Sequence, residues 1–486
     1  MRGASCHREK SIEMKRGVKK TVLVAAALVA VAVLALASAI GVRNPKAMFA
    51  VRVSQALLNA VAIRIDAEMG DAESQYKLGK MYANGFIARK NPMESAKWYK
   101  LAADQGCANA QHELGRMYRD GRGVARDAAE AVWLFRAAAE QGHVNAQNNL
   151  GNMYYHGNGV ETNYAEAVKW IRMAAEQGCV LAEFNMGLMY EYGKGVGKDD
   201  AEAAAWHLLA AEKGHTTAQR RVGFMYKDGR GVAKNEAEAF KWFRAAAEDG
   251  DQYAQNNVGW MYYHGRGGVK RDYVEAAKWY RLSADKGDGY AQNALGLMYW
   301  YGQGVAKDFY EAVKLFRASA DQGNADALDS LGTMYEYGQG VERDYEMAMA
   351  LYRKAADAGN IVAWHNLGRM YERGLGIEKN YAEALKCYRV AAEKGCAAAQ
   401  NNLGVLYYFG HGTGKDYAEA LRWFRKAAEK KQPNAMCNLG DMYENGYGVV
   451  EKDEGEAVKW YRASAERGCK DAKKNLKRLG IAEDSE

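Results

Sequence analysis

The feature that most constrains this chain is a unit that it repeats eleven times. In residues 143–178 the unit reads HVNAQNNLGNMYYHGNGVETNYAEAVKWIRMAAEQG. One structural glycine marks each copy, and these markers are Gly79, Gly115, Gly151, Gly187, Gly223, Gly259, Gly296, Gly332, Gly368, Gly404 and Gly440. Successive markers lie 36 residues apart, except for 37 between Gly259 and Gly296. Such regularity predicts a stack of repeats in which each copy contacts only its neighbours.

The first half of the unit predicts a helix. Apolar side chains recur there at helical spacing on one face, at Ala146, Leu150, Met153 and Tyr154. Gly157 follows this series, and glycine takes the left-handed conformation after a helix without steric cost. We therefore expect the helix to end there.

The second half of the unit predicts another helix. Asn163 is a suitable N-cap for the apolar series Ala165, Val168 and Ile171, and Gly178 closes it. Each unit is thus predicted to be a helical hairpin.

The repeated pattern A-x-x-x-L-G-x-M-Y-x-x-G-x-G-V, followed by Y-A-E-A-x-K-W and A-A-E-x-G, resembles the Sel1-like repeat, a relative of the tetratricopeptide repeat. The resemblance covers residues 71–468. It implies an all-α fold, a right-handed alpha-alpha superhelix (solenoid) of eleven hairpins. It also implies a function, because most members of this family act as adaptors or scaffolds for other proteins.

The N-terminal residues predict membrane targeting. Residues 1–20 carry a net charge of +5, and the 22 residues 21–42 contain no charged side chain. That length suffices to span a bilayer as a helix, which predicts a transmembrane signal anchor. A cleavable signal peptide is the alternative, because Ala37, Ser38 and Ala39 form an A-x-A site. We expect the repeats outside the cytoplasm, anchored on the periplasmic side of a bacterial inner membrane, or periplasmic or secreted after cleavage near Ala39.

The remaining segments complete the predicted organisation. Residues 43–70 are predicted to be a linker and an N-terminal capping helix, 71–468 the eleven repeats, and 469–486 a C-terminal capping helix and tail. Capping elements with a polar outer face are needed to keep a solenoid soluble.

Charge argues against a nucleic-acid partner. The chain has a formal net charge of +7, but residues 1–20 contribute +5, and Arg43, Lys46 and Arg52 contribute three more positive charges. The repeats are therefore almost neutral, whereas nucleic-acid-binding proteins concentrate Lys and Arg on one face.

Sequence motifs for a metal, a cofactor or catalysis are not found. The chain has seven cysteines, of which Cys107, Cys179, Cys396 and Cys469 share one position of the repeat. Equivalent positions in different repeats lie too far apart for a disulfide, so no disulfide framework is predicted. Neither H-E-x-x-H nor a paired C-x-x-C motif occurs. We expect no metal site, no cofactor and no enzymatic activity, and we interpret glycines such as Gly193 and Gly195 as helix stops.

Aromatic residues that vary between repeats are the candidate partner-binding residues. By analogy with tetratricopeptide geometry, these positions should face the concave surface. The densest group is Trp260, Tyr263, Trp300 and Tyr301, and further candidates are Tyr155, His156, Tyr192, His264 and Tyr337. Rings with a polar tip, flanked by asparagine amides, suit the binding of a peptide or protein. Alternatively the rings pack against the next repeat, and the amides of Asn149 and its equivalents bond to the neighbouring turn.

The predicted function is that of a non-catalytic scaffold or adaptor, membrane-tethered and exported, that binds a protein or peptide in the concave groove. A secreted effector and a cell-wall glycan-binding protein are alternatives. A hydrolase of the β-lactamase-like type attributed to some cysteine-rich relatives is a remote one. The sequence does not identify the partner.

Overall fold

The protein is all-α. Its computed structural model describes residues 28, 31–32, 45–85, 89–448 and 450–481, and it contains no β-strand within these residues. The predicted all-α fold of repeated hairpins is therefore confirmed.

The described residues form 24 helices, and most of them are 13 residues long. In chain order they are α1 (Pro45–Glu68), α2 (Ala72–Asn84), α3 (Pro92–Asp104), α4 (Ala108–Asp120), α5 (Ala128–Glu140), α6 (Val144–His156), α7 (Tyr164–Glu176), α8 (Val180–Tyr192), α9 (Asp200–Glu212), α10 (Thr216–Asp228), α11 (Glu236–Glu248), α12 (Gln252–His264), α13 (Tyr273–Ala284), α14 (Gly289–Tyr301), α15 (Phe309–Ala320), α16 (Ala325–Tyr337), α17 (Tyr345–Asp357), α18 (Ile361–Arg373), α19 (Tyr381–Glu393), α20 (Ala397–Phe409), α21 (Tyr417–Glu429), α22 (Pro433–Asn445), α23 (Glu454–Ala465) and α24 (Lys470–Arg478). From α2 to α23, the even-numbered helices are the first helices of the repeats and the odd-numbered ones the second.

Inter-residue contacts divide the chain into two compact units, residues 1–235 and 236–486. In the first unit α1 packs on α2, and the hairpins α2/α3, α4/α5, α6/α7 and α8/α9 follow in order up to α10. In the second unit α11 packs on α12, the hairpins α12/α13 to α22/α23 follow, and α24 closes the series. Within each unit, each helix thus packs against its neighbours in sequence, as expected of a repeat protein.

Local sequence sets the ends of the helices. Gly157 has φ of 68° and its N–H donates to the carbonyl of Met153, which satisfies one of the last acceptors of α6. The side chain of Asn163 accepts a hydrogen bond from the N–H of Glu166 at 3.0 Å, which caps α7. The predicted stop and the predicted N-cap are both observed.

The second glycine of each loop has a different role from the first. A Cβ on Gly159 would lie 2.3 Å from the carbonyl of Ala128, at the start of the preceding second helix. Gly195 approaches the carbonyl of Tyr164 in the same way, at 2.4 Å. The interpretation of Gly193 as a helix stop is confirmed, because its φ is 65° at the C-cap of α8. For Gly195 that interpretation is wrong, since this glycine allows close contact between successive repeats.

The marker glycine brings the two helices of a hairpin together. A Cβ on Gly368 would lie 2.6 Å from Cδ1 and Cε1 of Tyr388, on the second helix of the same hairpin. Gly404 faces Phe424 at 2.6 Å in the same manner. These two rings are fully buried, so each occupies the space that a side chain on its marker glycine would need.

Buried glutamines connect one repeat to the next. Gln147, at the start of α6, donates to the carbonyl of Ala139 at 3.2 Å and so satisfies an end of the preceding helix α5. Gln177 at the end of α7 donates to the side-chain oxygen of Gln147 at 2.7 Å. Because Gln147 is buried, these bonds fix how neighbouring repeats stack.

The one irregular spacing has a local cause. The loop between α12 and α13 comprises residues 265–272, whereas the corresponding loop between α6 and α7 comprises 157–163. The additional residue is accommodated by Gly267 and Gly268, which both have positive φ. The hairpin itself keeps its packing, with Gly259 against Tyr280.

The described terminal helices pack against the repeats. Ala60 and Ala67 of α1 are buried next to α2. Ala472 and Leu476 of α24 join a core with Tyr461 of α23. The predicted segment boundaries themselves remain predictions, and most of residues 1–44 lie outside the described part of the chain.

The predicted membrane-anchored location is contradicted. Within the described residues, no helix combines the length and the apolar character that crossing a bilayer requires. The longest, α1, has 24 residues but includes charged Lys46, Arg52 and Arg64. The segment 21–42 on which the prediction rested lies outside the described residues, apart from 28 and 31–32.

Replacing a marker glycine should destabilise the fold. In Gly368→Ala the new methyl group meets the ring of Tyr388, whose hydroxyl is held by Glu372 at 2.6 Å. We expect the free energy of unfolding to fall by about 1–3 kcal/mol through overpacking, despite the better helix propensity of alanine. Urea denaturation followed by circular dichroism measures the change.

Gly414→Ala is the matched control, because nothing lies within 4 Å of a Cβ at Gly414 and its φ is not positive. That variant should unfold like the wild type. A Gly368→Ala protein as stable as this control would disprove the packing role of the marker glycine.

Candidate partner-binding face

All nine predicted partner-binding residues lie on first helices, and we call the exposed surface of these helices the first-helix face. The first unit carries Tyr155, His156 and Tyr192, and the second carries Trp260, Tyr263, His264, Trp300, Tyr301 and Tyr337. Apart from Trp260, each is the last or the penultimate residue of its helix. The left-handed glycine that follows ends the helix there and so fixes where the ring projects.

The penultimate rings pack onto loops. The hydroxyl of Tyr263 donates to Gln303 Oε1 at 2.8 Å, and Trp300 Nε1 donates to Gln339 Oε1 at 2.8 Å. Both glutamines belong to the loop after the next first helix. Tyr155 instead lies edge-on against Tyr164 of its own hairpin, with ring centroids 5.3 Å apart. These half-buried rings have the geometry of the packing alternative.

The terminal rings remain exposed. Tyr192, Tyr301 and Tyr337 are 55%, 62% and 56% exposed, and His156 and His264 are exposed as well. These fractions distinguish them from the penultimate rings, which lie half-buried one residue earlier. Two adjacent residues at the end of one helix thus have different surroundings: the first is half-buried and the second is exposed to solvent.

The second unit concentrates the exposed rings on three consecutive first helices. Trp260, 39% exposed, lies against His264 with ring centroids 4.4 Å apart. Tyr301 stacks on Trp300, with centroids 5.4 Å apart and 14° between the ring planes. Tyr337 follows on α16. We call Trp260, His264, Tyr301 and Tyr337 the aromatic row.

An ion pair ends the aromatic row. Arg369 of α18 donates to both carboxylate oxygens of Glu336, each at 2.6 Å, and its Nη1 also donates to the hydroxyl of Tyr337 at 3.1 Å. The hydroxyl of Tyr352 donates to the same carboxylate at 2.9 Å. Glu336 is buried, so these partners compensate for the removal of its charge from water. The positive charge of Arg369 is therefore neutralised by Glu336, and the hydrogen bond from Arg369 holds the hydroxyl of Tyr337 in one orientation.

Amide side chains of the first helices form a ladder between repeats. Asn185 Nδ2 donates to Asn148 Oδ1 at 3.0 Å, and Asn438 Nδ2 donates to Asn401 Oδ1 at 3.0 Å. In both cases the acceptor belongs to the preceding first helix. Asn149 likewise bonds to the His112 ring, at 3.0 Å. The expectation that Asn149 and its equivalents bond to a neighbouring turn is therefore wrong, because consecutive first helices lie close enough to bond directly.

One carboxyl in this ladder titrates unusually. Asp329 Oδ1 accepts from Asn366 Nδ2 at 2.8 Å. Burial raises the pKa of Asp329 to about 6, and the hydrogen bond from Asn366 and the charge of Arg369 only partly oppose this. The side chain thus carries its charge at a cost near neutral pH.

Metal-ligating residues are not clustered in the part of the chain that the structure describes: no group of three or more His, Cys, Asp or Glu side chains there could hold a metal ion. Sequence reasoning missed two juxtapositions. One is the pair Glu336 and Arg369, and the other is Cys437 and Cys469, which lie in a common core. Both pairs join different positions of successive repeats, so comparing equivalent positions could not reveal them.

Removing the Asp329 charge should stabilise the protein at neutral pH only. The pKa of Asp329 is raised in the folded state above its unfolded value of about 3.9, so stability falls as pH rises from about 4 through 6. At pH 7.5 the free energy of unfolding of Asp329→Asn should therefore exceed that of wild type by about 1 kcal/mol or more, and the variant should unfold at a higher temperature. Below pH 4 this advantage should disappear.

Thermal unfolding at a series of pH values measures this difference. Asp321→Asn is the control, because Asp321 is exposed, whereas the charge of the nearer Asp326 itself raises the pKa of Asp329. If both variants showed the same pH dependence, the burial of Asp329 would not be its cause.

Comparison with known proteins gives one family. The model of the Sel1 repeat matches residues 72–107, 108–143, 144–179, 180–215, 216–251, 252–288, 289–324, 325–360, 363–396, 397–431 and 433–469. No curated protein matches the chain.

Among solved structures, the chain is similar to a protective antigen present in uropathogenic Escherichia coli strains that displays an SLR fold. The identity is 37%, the TM-score is 0.80, and the match covers 87% of this chain and 91% of that one. A Sel1 repeat protein from Oxalobacter formigenes is 34% identical over 64% of this chain and 90% of its own, with a TM-score of 0.49 that adds no structural argument. With eleven matched repeats over most of its length, the chain belongs to the Sel1 repeat family.

Proposed function

We propose that this protein is a non-catalytic scaffold that binds an extended peptide of a partner protein along the aromatic row of its second unit. Sel1 repeats form a tetratricopeptide-like fold that is typical of protein–protein interaction. The proposal rests mainly on one observation, the exposed rings on three consecutive first helices. The same helices use their other polar side chains to hold the repeats together.

The rings suit contact with a partner because their exposure is locally enforced. Trp260 is supported by His264, Tyr301 by Trp300 and Tyr337 by Arg369. A ring that is already oriented loses little conformational entropy when it binds. Buried aromatic residues supply much of the affinity of protein interfaces.

The spacing of the rings favours an extended peptide. Packed helices lie roughly 8–10 Å apart, so rings on consecutive first helices recur at about that distance. A polyproline II segment rises about 3.1 Å per residue and returns to the same face every third residue. Such a peptide can place one apolar side chain against each ring. We therefore expect ligands with apolar residues at every third position.

The charges near the row favour a peptide of low net charge. Arg369 is paired with Glu336, and the pKa of His264 is lowered by burial and by the nearby Arg271 and Arg266, so its ring is neutral at pH 7. Arg266 is itself paired with Glu236 at 3.6 Å, and the rings of the row are uncharged, so the row offers no strong attraction for a highly acidic segment. The binding free energy of the peptide would come mainly from apolar contact area and hydrogen bonds.

Removing two rings of the row should abolish most of the binding. Peptides selected on the full-length protein from a random library should bind the Trp260→Ala, Tyr301→Ala double variant at least about tenfold more weakly, since each aromatic anchor contributes about 1 kcal/mol or more. Fluorescence anisotropy with labelled peptides measures the dissociation constants.

Trp133→Ala combined with Tyr310→Ala is the matched control. It removes the same two ring types, but from second helices, where they are 58% and 78% exposed. Equal loss in both double variants, or none in either, would refute the aromatic row as the peptide site. If the Trp260 and Tyr301 variant instead loses binding to purified cell-wall polymer, the glycan-binding alternative replaces the proposal.

A further inference from the structure

Two cysteines of the second unit lie together beneath the C-terminal helix. Cys437 belongs to α22, and Cys469 immediately precedes α24. Both are buried in one core with Ala457, Tyr461 and Ala472. Both are free thiols in this structure. Their side chains already lie in contact.

The repeat geometry explains this contact. The residue that caps a first helix lies against the residue three before the marker glycine of the preceding repeat. His143 stacks on His112 in this way, and His215 stacks on Phe184, each with ring centroids 4.5 Å apart. Cys469 and Cys437 occupy the same two positions at the end of the chain. Their proximity therefore follows from an arrangement seen elsewhere in the protein.

The other cysteines at this capping position have no sulfur opposite. Cys107, Cys179 and Cys396 share the position, and the residues three before the preceding marker glycines are Tyr76, Asn148 and His365. Cys469 thus differs from these three in facing a second cysteine. These three serve as internal controls for reactivity that depends on the pair.

The surroundings of the pair keep it reduced until the terminal helix opens. Burial raises the pKa of the Cys437 thiol to about 12, so it is protonated at neutral pH. Asn475 Nδ2 contacts Cys437 Sγ at 3.8 Å, and Cys469 Sγ contacts Asn434 Oδ1 at 3.8 Å. The covering helix α24 has only 9 residues and is the last described helix of the chain. Short terminal elements open at low free-energy cost.

We propose that Cys437 and Cys469 are a redox modification site, at which a reversible disulfide joins α22 to the start of the terminal helix α24. The oxidant is a small-molecule disulfide such as oxidised glutathione. Bond formation links the last repeat to the helix that covers it. The disulfide thus stabilises the packing of α24 on the hairpin formed by α22 and α23.

Thiol–disulfide exchange balances the reaction. The Cys469 thiolate, formed by loss of its proton, attacks one sulfur of oxidised glutathione and expels glutathione thiolate, which leaves a mixed disulfide on Cys469. The Cys437 thiolate then attacks the Cys469 sulfur and expels the second glutathione. Two protein thiols are oxidised, one glutathione disulfide is reduced to two thiols, and the protons pass to the released thiolates.

Peptide mapping of the full-length protein tests the site. After incubation with oxidised glutathione and alkylation, tryptic digestion should yield residues 432–452 linked to residues 468–470, at a mass lower by two hydrogen atoms than the sum of the reduced peptides. Dithiothreitol should release the two peptides. The oxidised protein should also have a thermal midpoint a few degrees above that of the reduced protein.

Cys469→Ser and Cys396→Ser separate the pair from general cysteine oxidation. Serine is a good N-cap, so Cys469→Ser should fold, yet it should lose both the linked peptide and the thermal shift. Cys396→Ser should retain both. The proposal is overturned if oxidised wild type gives only mixed disulfides with glutathione, links other cysteines, or shows the same thermal shift in Cys469→Ser.

Discussion

The structure depends on the close approach of two helices at the marker glycine. In the hairpins of both units a buried ring or an equally buried side chain occupies the place of a missing Cβ, as Tyr388 does at Gly368 and Ile171 at Gly151. This contact sets how closely the two helices of a hairpin approach each other. The loop glycines then let each repeat rest on the backbone of the previous one, as Gly159 does on Ala128. Repetition of this packing along the chain produces the repeat array.

The polar and aromatic side chains of the first helices fall into two groups: some bond to neighbouring repeats, and others are exposed to solvent. Gln147 and Asn148 form hydrogen bonds between repeats, as do side chains at equivalent positions. The ends of the first helices therefore remain as the variable surface. Tyr263 and Trp300 belong to the first group, because their polar atoms hold the next loop. Tyr301 belongs to the second. Function in such a fold is carried by the residues that the stacking does not require.

Much of the fold and part of the candidate site could be predicted from the sequence. The caps at Gly157 and Asn163 depend on local backbone chemistry, so pattern alone located them. The predicted rings do lie on first helices. The sequence could not show that Trp300 is half-buried while Tyr301 is exposed, because Trp300 is covered by a loop of the next repeat. The membrane-anchored location is contradicted, because no helix among the described residues is long and apolar enough to cross a bilayer.

The sequence by itself determined the period, the hairpin, the helix ends and the family. Each of these depends on interactions within about 40 residues, which repetition makes visible eleven times over. Only the tertiary structure decided which ring is exposed, that Arg369 neutralises Glu336, and that Cys437 faces Cys469. These pairings join different positions of successive repeats. Their partners are set by how one hairpin is placed on the next, and that placement is fixed by packing in three dimensions and not by local propensity.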